Sequence, residues 1–308
     1  MLVSDVDLAV EIAGVRFRNP VLLASGTCGY GSEMEQVTDL AAIGGLVSKT
    51  ITPEPRPGNP PPRIVETPAG MLNSIGLQNP GLEDFITQKW PYLAGLDTRI
   101  VVNIAAPTSA ASGAMAARLD ELDGIAALEV NISSPNMKDG GMLFGCNPVA
   151  AAEVIEAVRK STRLPVFAKL TPNVTDIGEI ARAVEGAGAD AVVLINTLLG
   201  MAIDVEKRRP ILANVTGGLS GPAIRPVAVA MIWKVRQAVS VPIVGLGGIS
   251  TAADALEFII AGAAAIQVGT ASFVNPNAGV EVAEGIAEFC RRQGIERVAS
   301  LIGSLETP

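Results

Sequence analysis

Short runs of aliphatic and β-branched residues recur along the chain, separated by stretches with helical spacing. Continuous apolar runs of this kind are typical of parallel strands that are buried on both faces. The pattern predicts strands at 20–25, 45–50, 99–105, 127–133, 165–171, 191–197, 242–248 and 265–270. It predicts helices between them, most clearly at 147–161, 176–188, 225–239 and 251–262.

The alternation of strand and helix predicts the fold class. Eight such units in 308 residues indicate an α/β protein with a (β/α)8 TIM barrel, in a single domain spanning 1–308. The alternative is a doubly wound open sheet, which requires a GxGxxG turn after the first strand. The segment ASGTCGYG matches that turn poorly. A β-hairpin around LAVEIAGVRFRNP is expected to close the barrel floor.

Three long insertions follow predicted strand ends, at 51–81, 134–145 and 198–221. Loops of this length in a compact domain usually serve as lids or binding loops. The active site of a (β/α)8 barrel lies at the carboxyl ends of its strands. We therefore expect the insertions to cover a site there.

Charge and composition exclude several functional classes. The formal net charge of −8 argues against nucleic acid as the main partner, although a locally basic pocket stays possible. The three cysteines form no CxxC pair, which disfavours a disulfide scaffold or a metal site and fits a reducing cytoplasm. The N-terminus is acidic, which argues against a signal peptide. The apolar runs are too short to predict a membrane span.

Polar residues interrupt five of the apolar runs close to their carboxyl ends. They are Lys49, Asn103, Asn131, Lys169 and Asn196. Any one of them alone is best interpreted as a strand cap. Buried amide and ammonium groups are unfavourable unless a partner satisfies them, so several converging on one barrel axis predict a polar ligand.

Glycine-rich segments suggest what that ligand contains. GLGGIS follows the seventh predicted strand, QVGTASF follows the eighth, and TGGLSG lies in the third insertion. Backbone amides at such positions bind phosphate in this fold. A phosphorylated ligand wide enough to reach the lysines and asparagines fits a planar cofactor such as FMN.

Several longer motifs together resemble the dihydroorotate dehydrogenases. They are GMLNSIGLQNPG, NISSPNMKDGG, INTLLGM, ILANVTGGLSGPA and VGLGGI with AGAAAIQVGTA. The resemblance covers nearly the whole chain and is greatest to the catalytic subunit of the soluble, NAD-linked heteromeric class. It implies oxidation of (S)-dihydroorotate to orotate in pyrimidine biosynthesis, with hydride transfer from substrate C6 to FMN.

The resemblance also implies ligand residues. The residues expected to bind FMN are Ser25, Lys49, Thr50, Asn103, Asn131, Lys169, Ile195, Gly221, Gly247, Gly248, Gly269 and Thr270. Those expected to bind dihydroorotate are Lys49, Asn73, Ser74, Ile75, Gly76, Leu77, Asn131, Asn196 and Thr197. No metal ligands are expected.

Ser134 occupies the position of the family's catalytic base, which removes a proton from substrate C5. The soluble classes usually have cysteine there, and a thiol loses its proton far more readily than a hydroxyl. The chain has no histidine, so Ser134 would need a relay through water or a hydroxyl such as that of Thr197. A native serine enzyme and an engineered cysteine-to-serine variant are favoured over a homologue with altered activity. Residues 135–145 are expected to form a mobile cover.

The resemblance implies partners as well. An electron-transfer subunit with FAD and an iron–sulfur cluster would carry electrons to NAD, and a homodimer within a heterotetramer is expected. The alternatives are fumarate or quinone as acceptor, a dihydropyrimidine dehydrogenase-like enzyme, and a flavin-binding barrel without turnover. The N-terminus is too short and acidic for the membrane anchor of the quinone-linked class.

Overall fold

The computed structural model describes residues 6–133 and 141–307. Its strands are β1 (Val10–Ile12), β2 (Val15–Phe17), β3 (Val21–Leu23), β4 (Gly45–Val47), β5 (Ile64–Thr67), β6 (Gly70–Asn73), β7 (Arg99–Ile104), β8 (Ile125–Asn131), β9 (Val166–Lys169), β10 (Ala191–Leu194), β11 (Leu198–Gly200), β12 (Ile203–Asp204), β13 (Arg209–Pro210), β14 (Gly217–Ser220), β15 (Ile243–Leu246) and β16 (Ala265–Val268).

The α-helices are α1 (Leu82–Asp84), α2 (Trp90–Leu93), α3 (Ser109–Asp120), α4 (Pro148–Ser161), α5 (Ile177–Gly186), α6 (Arg225–Arg236), α7 (Ala252–Ala261), α8 (Ala271–Val274) and α9 (Ala278–Gln293). A short π-helix at Phe85–Lys89 joins α1 to α2. Short 3-10 helices lie at Leu40–Ala42, Gly141–Cys146, Pro222–Ile224 and Val298–Leu301.

Eight parallel strands form a closed barrel, in the order β10-β15-β16-β3-β4-β7-β8-β9. Each predicted strand corresponds to one of them, so the predicted TIM barrel is confirmed. The open-sheet alternative is wrong because β16 pairs with β3 and leaves no free edge. The barrel strands end one to three residues earlier than predicted.

The helices pack around the barrel as the spacing predicts. Helix α7 begins at a capping box, in which Thr251 and Asp254 each accept a hydrogen bond from the other's backbone amide. It ends at Gly262, whose φ of 129° suits glycine. On the inner side of the helix ring, Ile232 of α6 is fully buried beside Gly245 of β15.

The predicted N-terminal hairpin is confirmed as the antiparallel pair β1–β2. Ile12 and Phe17 bury their side chains completely. The Arg99 side chain, at the start of β7, donates a hydrogen bond to the backbone oxygen of Arg16. The hairpin therefore lies at the amino-terminal end of the barrel, away from the strand ends where the site is predicted.

The first and third insertions contain strands that the sequence does not predict. Strands β5 and β6 from the first insertion pair with β11 and β14 from the third, in the order β11-β14-β6-β5. We call this antiparallel sheet the cover sheet. Residues 134–140 of the second insertion, including Ser134 and most of the expected cover 135–145, lie outside the described residues.

The packing of α6 on the barrel gives a stability prediction. Ile232→Ala should lower the free energy of unfolding by about 2–5 kcal/mol, because it removes buried methyl groups and leaves a cavity. Ile203→Ala is the matched control, since Ile203 is 55% exposed and its truncation should change stability little. Urea unfolding of both variants measures this, and equal midpoints would contradict the packing described.

Candidate active site

A cavity of about 350 Å³ opens at the carboxyl ends of the barrel strands. Most residues predicted to bind a ligand line it. They are Ser25, Lys49, Thr50, Asn73, Ile75, Gly76, Leu77, Asn131, Lys169, Ile195, Asn196, Thr197, Gly221, Gly247, Gly248, Gly269 and Thr270. The volume is in the usual range for small-molecule sites.

Three predicted site residues are not among those lining the cavity. Asn103 is fully buried within β7, and Ser74, the residue after β6, is fully buried as well. Ser134 lies outside the described residues. Each of the two described side chains has a buried polar atom without a hydrogen-bond partner among the described residues, Asn103 Oδ1 and Ser74 Oγ.

The lining of the cavity is basic although the chain as a whole is acidic. Lys49, Arg63 and Lys169 line it, and no carboxylate of the described residues does so. Burial lowers the pKa of Lys49, and the nearby charge of Arg63 lowers it further. Such a site favours an anionic ligand, which relieves the repulsion between the cations.

A hydrogen-bonded chain fixes two of the lining amides. The Ser133 backbone amide and hydroxyl both donate to Asn131 Oδ1, at 3.2 and 2.9 Å. Asn196 Nδ2 donates to Ser133 Oγ at 2.6 Å, and the Thr197 backbone amide donates to Asn196 Oδ1. Because its oxygen is already engaged, Asn131 offers its amide nitrogen to a ligand as a donor.

The segment 73–77 reaches the cavity through an unusual backbone turn. Gly76 and Leu77 both have positive φ, at 77° and 55°. A Cβ at Gly76 would lie 2.7 Å from the Asn59 backbone nitrogen, so only glycine fits there without displacement. Asn59 also holds this segment in place, because its side-chain amide donates a hydrogen bond to the Ser74 carbonyl oxygen.

Glycines form a narrow cradle beside the ends of β15 and β16. Gly247, Gly248 and Gly221 have positive φ values of 130°, 83° and 95°. A Cβ at Gly248 would lie 2.7 Å from the Gly221 carbonyl oxygen. This close approach of two backbones leaves no room for a side chain at Gly248, and the phosphate site that the sequence predicts at these glycines stays a prediction.

Comparison with known proteins agrees with this geometry. The family model described as dihydroorotate dehydrogenase matches residues 7–290. The chain belongs to the dihydroorotate dehydrogenase family. Its relatives include proteins named dihydroorotate dehydrogenase B (NAD(+)), catalytic subunit. That of Pelobacter propionicus is 55% identical over 300 residues, or 97% of this chain and 99% of the relative.

Two further relatives with the same name show the same extent of similarity. The protein of Trichlorobacter lovleyi is 57% identical over 299 residues, covering 97% of this chain and 98% of its own length. The protein of Desulforudis audaxviator is 57% identical over 299 residues, covering 97% of both chains. The resemblance inferred from the motifs is thus confirmed at the level of the family.

Sequence reasoning missed four polar residues at or beneath the site of this family member. Arg63 and Gln267 line the cavity, Ser133 orders its amides, and Glu129 lies fully buried below it. A signal existed for Glu129: an acid inside the apolar run ALEVNIS, two residues before Asn131. Residues two apart in a strand share a face, so Glu129 and Asn131 must point in the same direction, into the barrel.

The described residues contain neither a candidate membrane span nor a candidate metal site. None of their helices combines the length and apolar character needed to cross a bilayer. No three His, Cys, Asp or Glu side chains within 6–133 and 141–307 come together as a set that could hold a metal ion.

The glycine cradle gives a binding prediction for FMN. Gly248→Ala should weaken FMN binding at least tenfold, or about 1.4 kcal/mol, because the new methyl group must displace the Gly221 backbone. Flavin fluorescence quenching measures the affinity. Gly186→Ala is the control, because a Cβ at Gly186 meets nothing within 4 Å, and it should bind FMN like the parent. Equal affinities for both variants would contradict a ligand in the cradle.

Proposed function

We propose that this chain oxidises (S)-dihydroorotate to orotate, the redox step of pyrimidine biosynthesis. The observation that carries the proposal is the cavity at the barrel rim, which combines basic side chains, oriented amides and a glycine cradle. Relatives that share 55–57% identity over nearly their full length are named as catalytic subunits for this reaction. Both the fold and the donor set suit a flat, anionic diamide.

FMN fits the cavity as the bound hydride acceptor. The close backbones at Gly221 and Gly248 suit its phosphate, and the buried Asn103 Oδ1 and Gln267 Oε1 have no hydrogen-bond partner among the described residues. The residues proposed to hold it are Ser25, Lys49, Thr50, Asn103, Asn131, Lys169, Ile195, Gly221, Gly247, Gly248, Gly269 and Thr270. When bound, FMN takes up the hydride from substrate C6.

Lys49 and the fixed amides are proposed to bind dihydroorotate. The ammonium group of Lys49 suits the substrate carboxylate, because burial and the charge of Arg63, which lower its pKa, leave it short of a counter-charge that an incoming anion supplies. Asn131 and Asn196 suit the diamide edges, because the Ser133 bridge holds them in register. The segment 73–77 and Thr197 complete the proposed substrate ligands.

Ser134 is proposed to take the C5 proton. The motif position supports this role, as does the composition of the described cavity lining. No carboxylate, thiol or phenol of the described residues lines the cavity. Cys28 lies close by, but it is buried and its pKa is raised to about 12, so its thiol stays protonated. Thr197 lines the cavity and offers a hydroxyl to a relay.

The electrons are proposed to leave through a second subunit. The relatives are named as catalytic subunits of NAD(+)-linked enzymes, and such a name implies a further subunit. We propose that this partner carries FAD and an iron–sulfur cluster, and that two catalytic chains form a homodimer within a heterotetramer. All three cysteines are free, which supports a reducing compartment such as the cytoplasm.

Anaerobic addition of dihydroorotate to the FMN-loaded chain tests the function. The flavin absorbance should bleach stoichiometrically, while the isolated chain should reduce NAD at a negligible rate because the proposed partner is absent. Failure to bleach would refute the activity. Rapid NAD reduction by the single chain would refute the need for a partner and leave the oxidation itself standing.

The residue at position 134 should control the rate of bleaching. Ser134→Cys should speed flavin reduction near neutral pH, because a thiol ionises near pH 8.5 and a hydroxyl does not. Ser134→Ala should slow it by about 10²–10⁴-fold, the usual contribution of a general base. Stopped-flow absorbance measures both rates. An alanine variant as fast as the parent would assign the proton to another group.

A further inference from the structure

A buried carboxylate lies one layer below the cavity. The Glu129 side chain is fully buried in β8. Its Oε1 accepts hydrogen bonds from Asn103 Nδ2 at 2.6 Å and from Lys169 Nζ at 3.2 Å, and its Oε2 accepts from Gln267 Nε2 at 2.6 Å. A fully desolvated carboxylate is expensive unless its charge is matched. Here Lys169, which is 6% exposed, supplies the matching charge.

These contacts cross the barrel interior. Strands β8 and β16 are four places apart in the ring of eight, so Glu129 and Gln267 bridge opposite walls. Ionised carboxylates only accept hydrogen bonds, which obliges Asn103 and Gln267 to turn their amide nitrogens toward Glu129. Their oxygens are then left without a partner among the described residues. The carboxylate thus fixes the orientation of both amides as well as the lysine.

The pairing changes the charge that a ligand meets at the cavity floor. Lys169 lines the cavity, and its ammonium group contacts the Glu129 carboxylate that lies beneath it. An ammonium group alone beside a flavin stabilises the reduced form, which carries more negative charge. A carboxylate in contact with that ammonium group cancels most of the effect at the distance of the ligand.

We propose that Glu129 is a positioning residue that holds Lys169 in place and neutralises it, keeping the bound flavin a strong enough reductant to pass electrons onward to NAD. This inference rests on the proposed function. Within the part of the chain that the structure describes, Lys49 is then the lysine of the cavity lining without an ion pair, and its charge serves the substrate carboxylate. The ion pair of Lys169 with Glu129 then lets Lys169 position the flavin by hydrogen bonding without adding net charge beneath it.

Glu129→Gln separates charge from shape. The glutamine keeps the length of the side chain and an oxygen for Lys169. Its new amide group can donate to Gln267 if the Gln267 amide turns over, and Gln267 Oε1 has no competing partner among the described residues. Glu129→Asp is the converse variant, because it keeps the charge and disturbs the packing.

The measurement is the two-electron reduction potential of bound FMN, obtained by anaerobic titration against a reference dye. Glu129→Gln should raise the ratio of reduced to oxidised flavin at a given potential at least tenfold, or about 30 mV. Glu129→Asp should stay within threefold of the parent. A Glu129→Gln potential within threefold of the parent, or an equal rise in both variants, would overturn the proposal.

A double variant keeps the test decisive if Glu129→Gln does not fold. Glu129→Gln with Lys169→Met removes both charges, and replacing a buried ion pair by neutral groups is often tolerated. Because Lys169 is itself a proposed FMN ligand, the double variant is compared with Lys169→Met alone, which leaves the Glu129 charge unmatched. Adding Glu129→Gln to Lys169→Met should raise the ratio of reduced to oxidised flavin at least tenfold, and equal potentials for these two variants would contradict an effect of the Glu129 charge on the flavin.

The outcomes distinguish this inference from the proposed function. A parent chain that binds no FMN, or whose flavin dihydroorotate does not bleach, refutes the function and the inference with it. If the flavin of the parent bleaches normally but the variants have unchanged potentials, only the role of Glu129 is refuted and the proposed function stands.

Discussion

Hydrogen bonding between β16 and β3 closes the barrel, and the arrangement of the site depends on it. The first and last barrel strands pair in parallel, with Ile266 opposite Val21 and Val268 opposite Leu23. Because every strand runs in the same direction, closure brings all their carboxyl ends to one rim. Ser25 and Thr270, from opposite ends of the sequence, line the same cavity for this reason.

The sequence predicts the barrel well and its cover poorly, for a physical reason. Buried parallel strands need apolar residues on both faces, so they stand out as continuous runs. The strands of the cover sheet are short and contain glycine, as in GMLN and GGLS. Their pairing joins Asn73 to Gly218 across 145 residues. No local pattern encodes a partner at that distance.

The same reasoning explains which site residues the sequence reveals. Lys49 and Asn196 interrupt apolar runs at strand ends, where a buried polar side chain is unfavourable unless a partner satisfies it. Arg63 lies in a polar, proline-rich insertion and gives no contrast with its neighbours. Glu129 does interrupt an apolar run, but its partners Asn103, Lys169 and Gln267 come from three other strands. Only the folded barrel shows that these groups satisfy one another.

The cover sheet also limits how this barrel can change its substrate. Strand β6, which leads into the segment proposed to bind substrate, pairs on one side with β5 and on the other with β14 of a different insertion. Exchanging either insertion alone for that of another barrel would leave a row of backbone amides and carbonyls without partners. New specificity would therefore have to come from side chains on the existing strands, or from inheriting both insertions as one module.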